Sequence, residues 1–499
     1  MRFNRKTVET KRTVNLAGGE AFTEDPKLEF VSILLTSFVQ DQFYRTQNEG
    51  LKKVKELMVA IKEKLFLAKA AVYARTKFGM RSISHVVAAE LVPLARGQEW
   101  LKRFLDKIVY RPDDMQEILA YYLTEYGKPV PNSIKKGFAE ALKRYDEYAL
   151  AKYRGERKDI SMVDIINLIH PKPNAQNRKA LQLLIEGELK STKTWESKLT
   201  KAGQEASFTT ETEEEREEKL AELKKEAWGD LVKKRKIGYF ALLRNLRNII
   251  ADAPEIVDDA AEMLTDKNLI KKSLVLPFRF VTARDEIQKL SGTGTRKIIK
   301  ALSDAVDISL DNVPELSGRT LVVLDESGSM GEIDNPKSPI SIGSLFAAVL
   351  YKKCDADFMG FSDRSHYETF NDRDSVLTIQ KNMISARNNG GTNFNLIFQT
   401  AKEKYDRIVI LSDMQGWMAA ADGYYNIGGQ PGKTFAAYKK RFGANPFVYS
   451  FDLQGYGTLQ FPERNVYCLA GFSDKVFGVM KLLEQDRNAL VREIEKIEI

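Results

Sequence analysis

Five oxygen-bearing side chains stand where apolar runs stop. LVVLDESGSM (321 to 330) ends its apolar stretch in Asp325, Ser327 and Ser329. RIVILSD puts Asp413 after a second apolar run, and NNGGTNF puts Thr392 in a glycine-marked loop that opens a helical pattern. Two carboxylates and three hydroxyls form an oxygen-only set. Hard cations take oxygen ligands, and Mg²⁺ prefers few carboxylates, retained waters and octahedral geometry. A metal with so few anionic ligands stays electrophilic, and an open position on it accepts a carboxylate from a partner. These loops contain no His or Cys, which disfavours zinc.

The elements that must position this set are strands. RTLVVLDESGS, DADFMGFSD, RIVILSDMQ, NPFVYSFDL and RNVYCLAGFS are short β-rich runs. Helical patterns such as ISIGSLFAAVLYKKC and NFNLIFQTAKEKY lie between them. Such alternation predicts an α/β domain with a mostly parallel sheet, over residues 317 to 499. Open parallel sheets bind ligands beyond the carboxyl ends of their strands, where Asp325, Ser327, Ser329 and Asp413 fall.

The chain before this domain reads differently. Residues 1 to 27 show no period and are expected to form an irregular arm. Residues 28 to 316 are helical almost throughout. GLKKVKELMVAIKEKLFLAKAAVYARTK (50 to 77) and LLRNLRNIIADAPEIVDDAAEML (242 to 264) each read as continuous helical patterns. Phe138, Leu142, Tyr145, Ala149 and Tyr153 step along one helix face. Gly, Pro and Asn at GKPVPN, HPKPN, KAGQ and LVLPFR end helices and turn the chain. Successive antiparallel helix pairs without intervening strands are the layout of an α-solenoid. No strict sequence period accompanies it. The charged run TEEEREEKLAELKK (212 to 225) reads as a solvated helix with Glu and Lys at helical spacing.

Charge separates the two halves. Residues 317 to 499 carry 21 Lys+Arg against 22 Asp+Glu, so of the chain's 77 basic and 69 acidic residues the first 316 positions hold 56 and 47, a net of +9. A basic helical half points to a polyanion such as nucleic acid; plain solubility is the alternative. The two cysteines, Cys354 and Cys468, form neither a disulfide framework nor a four-thiolate zinc site, and they imply a reducing cytoplasm. No apolar run is long enough for a transmembrane helix, and the basic N-terminus lacks the apolar core of a signal peptide.

Enzyme signatures are weak. There is no G-x-x-x-x-G-K-[ST] phosphate loop, and SGTGTRKIIKAL (291 to 302) has the wrong spacing for one. Ser327 lacks the G-x-S-x-G frame of a hydrolase. Three histidines leave few general bases, and His85 on its apolar helix reads as structural. The expectation is a non-enzyme.

The Asp325-x-Ser327-x-Ser329, Thr392 and Asp413 constellation resembles the metal-ion-dependent adhesion site (MIDAS) of von Willebrand factor A domains. That resemblance implies a divalent cation, Mg²⁺, at these five residues; the alternative is a fold that keeps them without a metal. KFGMRSISHVVAAEL (77 to 91), AKYRGERKDISMVDIINLIHPKP (151 to 173), TKTWESKLTKAG (192 to 203) and FALLRNLRNI (240 to 249) together resemble the TROVE module of the Ro 60 kDa autoantigen family. The resemblance implies a ring of HEAT-like helical repeats closed by a Rossmann-like A domain. It implies small noncoding Y RNAs on the outer surface and single-stranded 3′ ends of misfolded RNAs in a basic hole. By the same resemblance, an exoribonuclease is a partner in bacterial members, and a ring closed within one chain implies a monomer. Matched position by position, the outer surface falls on Lys152, Arg154, Arg157 and His170. Read without the resemblance, His170 is a histidine satisfied at a helix C-terminus. Arg244 and Arg247 either face the hole or bridge neighbouring helices. The competing function is a protein-binding adhesion or chaperone-like scaffold that works through its A domain.

Overall fold

The computed structural model describes residues 12–14, 20–23, 26–36, 47–155, 159–189, 198–199, 202, 205–206, 212–354, 356–385, 387–416, 431–453, 458–461, 465–470, 476–485 and 489–499. The helical half opens with α1 (Pro26–Thr36), α2 (Gln47–Ala60), α3 (Lys64–Lys77), α4 (Ser82–Leu94) and α5 (Leu101–Ile108). It continues through α6 (Pro112–Tyr126), α7 (Asn132–Leu142), α8 (Glu147–Lys152), α9 (Met162–Ile169) and α10 (Arg178–Ile185). The remaining helices of this half are α11 (Glu213–Lys233), α12 (Tyr239–Asp252), α13 (Val257–Leu264), α14 (Lys267–Ser273), α15 (Pro277–Gln288) and α16 (Thr293–Ile308). Neighbours in sequence pack on one another, as α3 does on α4 and α15 on α16, which is solenoid packing. The charged run indeed lies on α11, whose first turns are solvated and whose buried residues, Trp228, Leu231 and Val232, come at its far end.

Three continuous helical patterns are each broken. Residues 50 to 77 divide into α2 and α3 at Ile61–Glu63, where the Lys64 ammonium donates to the carbonyls of Met58, Val59 and Ile61 and so satisfies the end of α2. The face from Phe138 to Tyr153 divides because Asp146 caps a new helix, accepting from the Ala149 N–H at 2.8 Å. Residues 242 to 264 divide at Pro254, which opens a 3-10 turn between α12 and α13.

The second half holds a six-stranded sheet. Its strands are β3 (Thr320–Asp325), β4 (Asp357–Phe361), β5 (Ser365–Glu368), β6 (Arg407–Ser412), β7 (Phe447–Asp452) and β9 (Val466–Ala470). Across the sheet they run in the order β5-β4-β3-β6-β7-β9. All neighbours are parallel except the edge pair β4 and β5. The helices of this half are α17 (Pro339–Cys354), α18 (Val376–Ser385), α19 (Asn395–Thr400), α20 (Pro431–Phe442), α21 (Val476–Gln485) and α22 (Ala489–Glu495). β3 and β6 are buried at every residue, as central parallel strands covered on both faces must be. One face of the sheet packs on Phe394, Phe398, Phe435 and Tyr438. The other shares a continuous core with the helical half: the Phe346 ring lies 5.8 Å from Phe278 of α15 and 5.0 Å from both Phe451 and Phe477.

The arm expected to be irregular forms two strands, β1 (Arg12–Val14) and β2 (Glu20–Thr23). They pair antiparallel with each other, and β2 pairs with β8 (Thr458–Leu459). Strands of two to four residues are too short to show a period, and their partner lies at the far end of the chain.

The α/β domain grips both ends of the helical array. At one end α1 packs on β9, with the Ser32 hydroxyl donating to the Cys468 carbonyl at 3.4 Å, and α22 packs on α3, with Lys69 donating to the Glu495 carbonyl at 2.6 Å. At the other end Asp307 of α16 accepts from the Lys352 ammonium at 3.2 Å and the Val376 N–H at 3.0 Å. Asp307→Ala is therefore expected to cost about 1–2 kcal/mol in denaturant unfolding, without change in secondary-structure content by circular dichroism.

Candidate metal centre and nucleic-acid interface

Four of the five oxygen-bearing residues sit where the strands place them. Asp325 is the last residue of β3 and Asp413 follows β6; both are wholly buried. Ser327 and Thr392 are also buried, and Ser329 is half-buried. Asp325 accepts from the Ser327 N–H at 2.9 Å and from the Ser412 hydroxyl at 2.5 Å. The Ser327 and Ser329 hydroxyls lie 3.1 Å apart. The Thr392 loop is drawn in by the Gly328 N–H donating to the Gly390 carbonyl and the Asn393 N–H to the Ser362 carbonyl. After Asp413 the chain turns at Met414, held at φ 58°. The Met414 N–H there donates to the Ser412 hydroxyl and its carbonyl accepts from Gln460.

The electrostatics of the cluster are those of crowded, dry carboxylates. Burial, then the neighbouring Asp325 charge, pushes Asp413 up to about 7, although the Ser329 hydroxyl and Gln415 N–H act against it. Burial likewise raises Asp325, against hydrogen bonds from Ser327 and Ser412. Asp413 Oδ1 accepts from the Gln415 N–H, whereas Oδ2 is buried with no hydrogen-bond partner. An unpartnered carboxylate oxygen in an oxygen-lined cluster fits a hard divalent cation. Among the described residues, no group of three or more His, Cys, Asp and Glu side chains could hold a metal, so a cation here would rest on hydroxyls as much as on carboxylates.

Residues outside the motif complete the frame. Arg387 donates to the carbonyls of Glu326, Gly331 and Ser327 and fastens the first loop from the side. A lone arginine beside NNGGTN is the only sequence signal for that role. Glu326 is buried over Gly360, where a Cβ would collide with its Oε1, and burial pushes its carboxyl up to about 7.

The basic residues expected to contact RNA fall in two places. Lys152 ends α8 and is exposed; Arg154 is half-buried and donates to the Leu189 carbonyl at 2.9 Å. The Met162 N–H donates to the Arg154 carbonyl, which holds the exit of α8 against the start of α9. His170 caps the far end of α9, exposed and in the left-handed conformation at φ 44°. The eight residues of α9 span about 12 Å, so Lys152 and Arg154 lie near one end of this short helix and His170 at the other. Arg157 lies outside the described residues. Arg244 and Arg247 are exposed on α12, which packs against α11, α13 and α15. Glu286 of α15 is held below its ordinary range first by Lys289 and also by the charges of Arg247 and Lys337.

The sequence profile of the TROVE domain matches residues 35–225 and 188–325, more than half of the chain. The chain belongs to the TROVE-domain family. The TROVE match covers most of the helical half and ends at Asp325. RNA-binding protein RO60 of Deinococcus radiodurans is 28% identical over 198 residues, covering 35% of this chain and 37% of that protein. Telomerase protein component 1 of Mus musculus is 24% identical over 298 residues, covering 45% of this chain and 11% of that protein. The chain thus spans well under half the length of either of these relatives. The crystal structure of the Deinococcus radiodurans RO (RSR) protein matches with a TM-score of 0.63 at 18% identity, over 90% of this chain and 97% of that one. The fold is therefore the Ro arrangement, a ring of helical repeats with an α/β domain, as expected from the sequence.

Proposed function

We propose that the chain is an RNA-binding ring of the Ro type. It holds a small noncoding, Y-like RNA through Lys152, Arg154, Arg157 and His170. Single-stranded 3′ ends of structured or misfolded RNAs enter its central hole, where Arg244 and Arg247 would hold their phosphates. Its role is a scaffold in RNA quality control that presents RNA to other machinery, such as an exoribonuclease, and it works as a cytoplasmic monomer without catalysis of its own. The observation that carries this reading is the TROVE match, because it lies on the half of the chain that holds the +9 charge. One relative is by name an RNA-binding protein, and Lys152, His170, Arg244 and Arg247 are exposed cations or cation-forming groups on that half. Lys and Arg on a solvated surface hold phosphates by displacing counterions, so affinity falls with salt. No described helix is long and apolar enough to cross a membrane.

The α/β domain supports a second function alongside the first. Asp325, Ser327, Ser329, Thr392 and Asp413 would hold Mg²⁺, and the unpartnered Asp413 Oδ2 is what favours it. Such a cation supplies an electrophilic position for a partner's carboxylate, as at a MIDAS. The domain then docks a protein while the helical half holds RNA.

A filter-binding titration tests the main reading. The ligand is a hairpin RNA with a single-stranded 3′ tail, titrated at several salt concentrations with double-stranded DNA as control. Tight binding that prefers the RNA and weakens steeply with salt is expected. Lys152→Ala combined with His170→Ser should weaken it and lower the salt slope by about one for each phosphate left without its cation. Binding no better than to DNA, or a double variant that binds as wild type, refutes the RNA ring or the placement of its outer surface respectively.

A further inference from the structure

The exit of α8 carries aromatic rings and cations in alternation. Tyr148 and Lys152 stand one helical turn apart on α8, and Tyr148 is 53% exposed. The Lys152 ammonium lies 6.0 Å from the Tyr148 ring and 5.6 Å from the Tyr153 ring. Tyr153 in turn meets the Arg111 guanidinium at 5.2 Å. Arg111 is fixed by Asp113, which accepts from its Nε at 3.1 Å and Nη2 at 3.0 Å, so the guanidinium is held over the ring. The neighbouring Tyr110 is 59% exposed. Gln116 ties the two segments together by donating to the Arg154 carbonyl at 3.1 Å.

Two features set this row apart from packing. Its outer rings are more than half solvated, so they contribute little to the core. Among the described residues Lys152 has no carboxylate partner, and its ammonium is left to the two rings. A solvated ring exposes apolar surface that a flat π-faced ligand removes from water, and an unneutralised ammonium beside the rings suits the phosphate that follows each base. Base-on-aromatic stacking beside cations is how single strands are held without sequence demands. A blunt duplex covers its base faces everywhere but at its two ends and so gains little from the rings.

We propose that Tyr148, Lys152, Tyr153 and Arg111 form a stacking platform for unpaired nucleotides of the bound RNA, with Tyr148 as its outermost ring. This rests on the RNA-binding reading and adds what the outer surface recognises: exposed bases next to a structured region, in addition to phosphate charge.

The full-length chain and its Tyr148→Ala, Tyr148→Phe and Lys152→Ala variants are titrated with two RNAs, a hairpin bearing an unpaired tail and a blunt, fully paired duplex. Tyr148→Ala is expected to weaken the tailed hairpin roughly tenfold with an unchanged salt slope, and to leave the duplex within about twofold. Tyr148→Phe restores tail binding, whereas Lys152→Ala lowers the salt slope for both RNAs. If wild type binds the tailed hairpin and Tyr148→Ala binds it equally well, the platform is overturned while the RNA-binding reading stands; the rings then serve another partner, such as a protein. Equal losses on both RNAs overturn stacking as well. If wild type binds neither RNA, the functional reading and the platform fall together.

Discussion

Asp114→Asn is expected to destabilise the helical half by about 3–5 kcal/mol, the cost of breaking a buried ion pair by removing one partner. Asp114 lies in the first turn of α6 and is wholly buried. Its carboxylate accepts from Arg75 Nη2 at 2.9 Å and Nε at 3.1 Å, and makes a 2.9 Å contact with His85 Nε2. It also accepts from the Tyr110 and Arg111 N–H groups at 2.9 Å each, which caps α6. One side chain thus joins α3, α4 and α6. Asparagine cannot accept from all of these donors, and Arg75, only 4% exposed, is left charged without its counter-ion. Burial alone would raise the Asp114 pKa; hydrogen bonds from His85 and Arg75 outweigh it and hold the carboxyl well below the usual carboxylate range.

The sign of the pH effect follows. A carboxyl with a depressed folded pKa contributes its full stability above its unfolded pKa of about 3.9, and loses it progressively as pH falls from there through the lower folded value. The wild-type advantage over Asp114→Asn should therefore be flat from neutral pH down to about pH 4 and shrink below that. Urea midpoints across that range measure it. A variant within about 1 kcal/mol of wild type at neutral pH would show that the cluster carries no such weight.

Asp325→Ala is expected to abolish divalent-cation binding while changing RNA affinity by less than about twofold, since phosphate contacts elsewhere set that affinity. Asp325 is one of only two carboxylates in the cluster, and it orders Ser327 and Ser412 as well. Its removal takes away half of the anionic charge and the anchor of the first loop. Titration calorimetry with Mg²⁺, repeated with Mn²⁺, should give heat of binding for wild type and none for the variant. Equal uptake by both proteins would remove the metal assignment from these five residues. A parallel loss of RNA affinity would mean that the two halves do not act independently.

Much of this organisation is legible in the sequence because strands and charge leave local marks. Five β-rich runs correspond to β3, β4, β6, β7 and β9, and the strand-end rule by itself puts Asp325 and Asp413 in one cluster. Arg387 and Ser412 are not legible in their roles, because both act through hydrogen bonds to loops that only the folded chain brings near. The breaks at Ile61–Glu63 and Arg144–Asp146 escape for a related reason. Hydrophobic spacing runs on through a tight corner when both helices bury the same side, and only the capping contacts reveal the turn. His85 reads correctly as structural from its apolar surroundings, but the carboxylate that holds it is 29 residues away and unmarked. The platform at Tyr148 and Tyr153 is hidden because those residues share a period with core positions, and exposure cannot be read from period alone.

The grip of the α/β domain on the first helices sets a schedule for synthesis. The partners Ser32 and Cys468 are separated by 436 positions, and Lys69 and Glu495 by 426. At about 5–20 residues per second, the ribosome delivers β9 roughly 20 to 90 seconds after α1. For that interval the apolar face of α1 that will meet β9 has no cover within its own chain. The helices at the start of the array are among the last to be finished, and the nascent chain must be kept from its neighbours until β9 arrives.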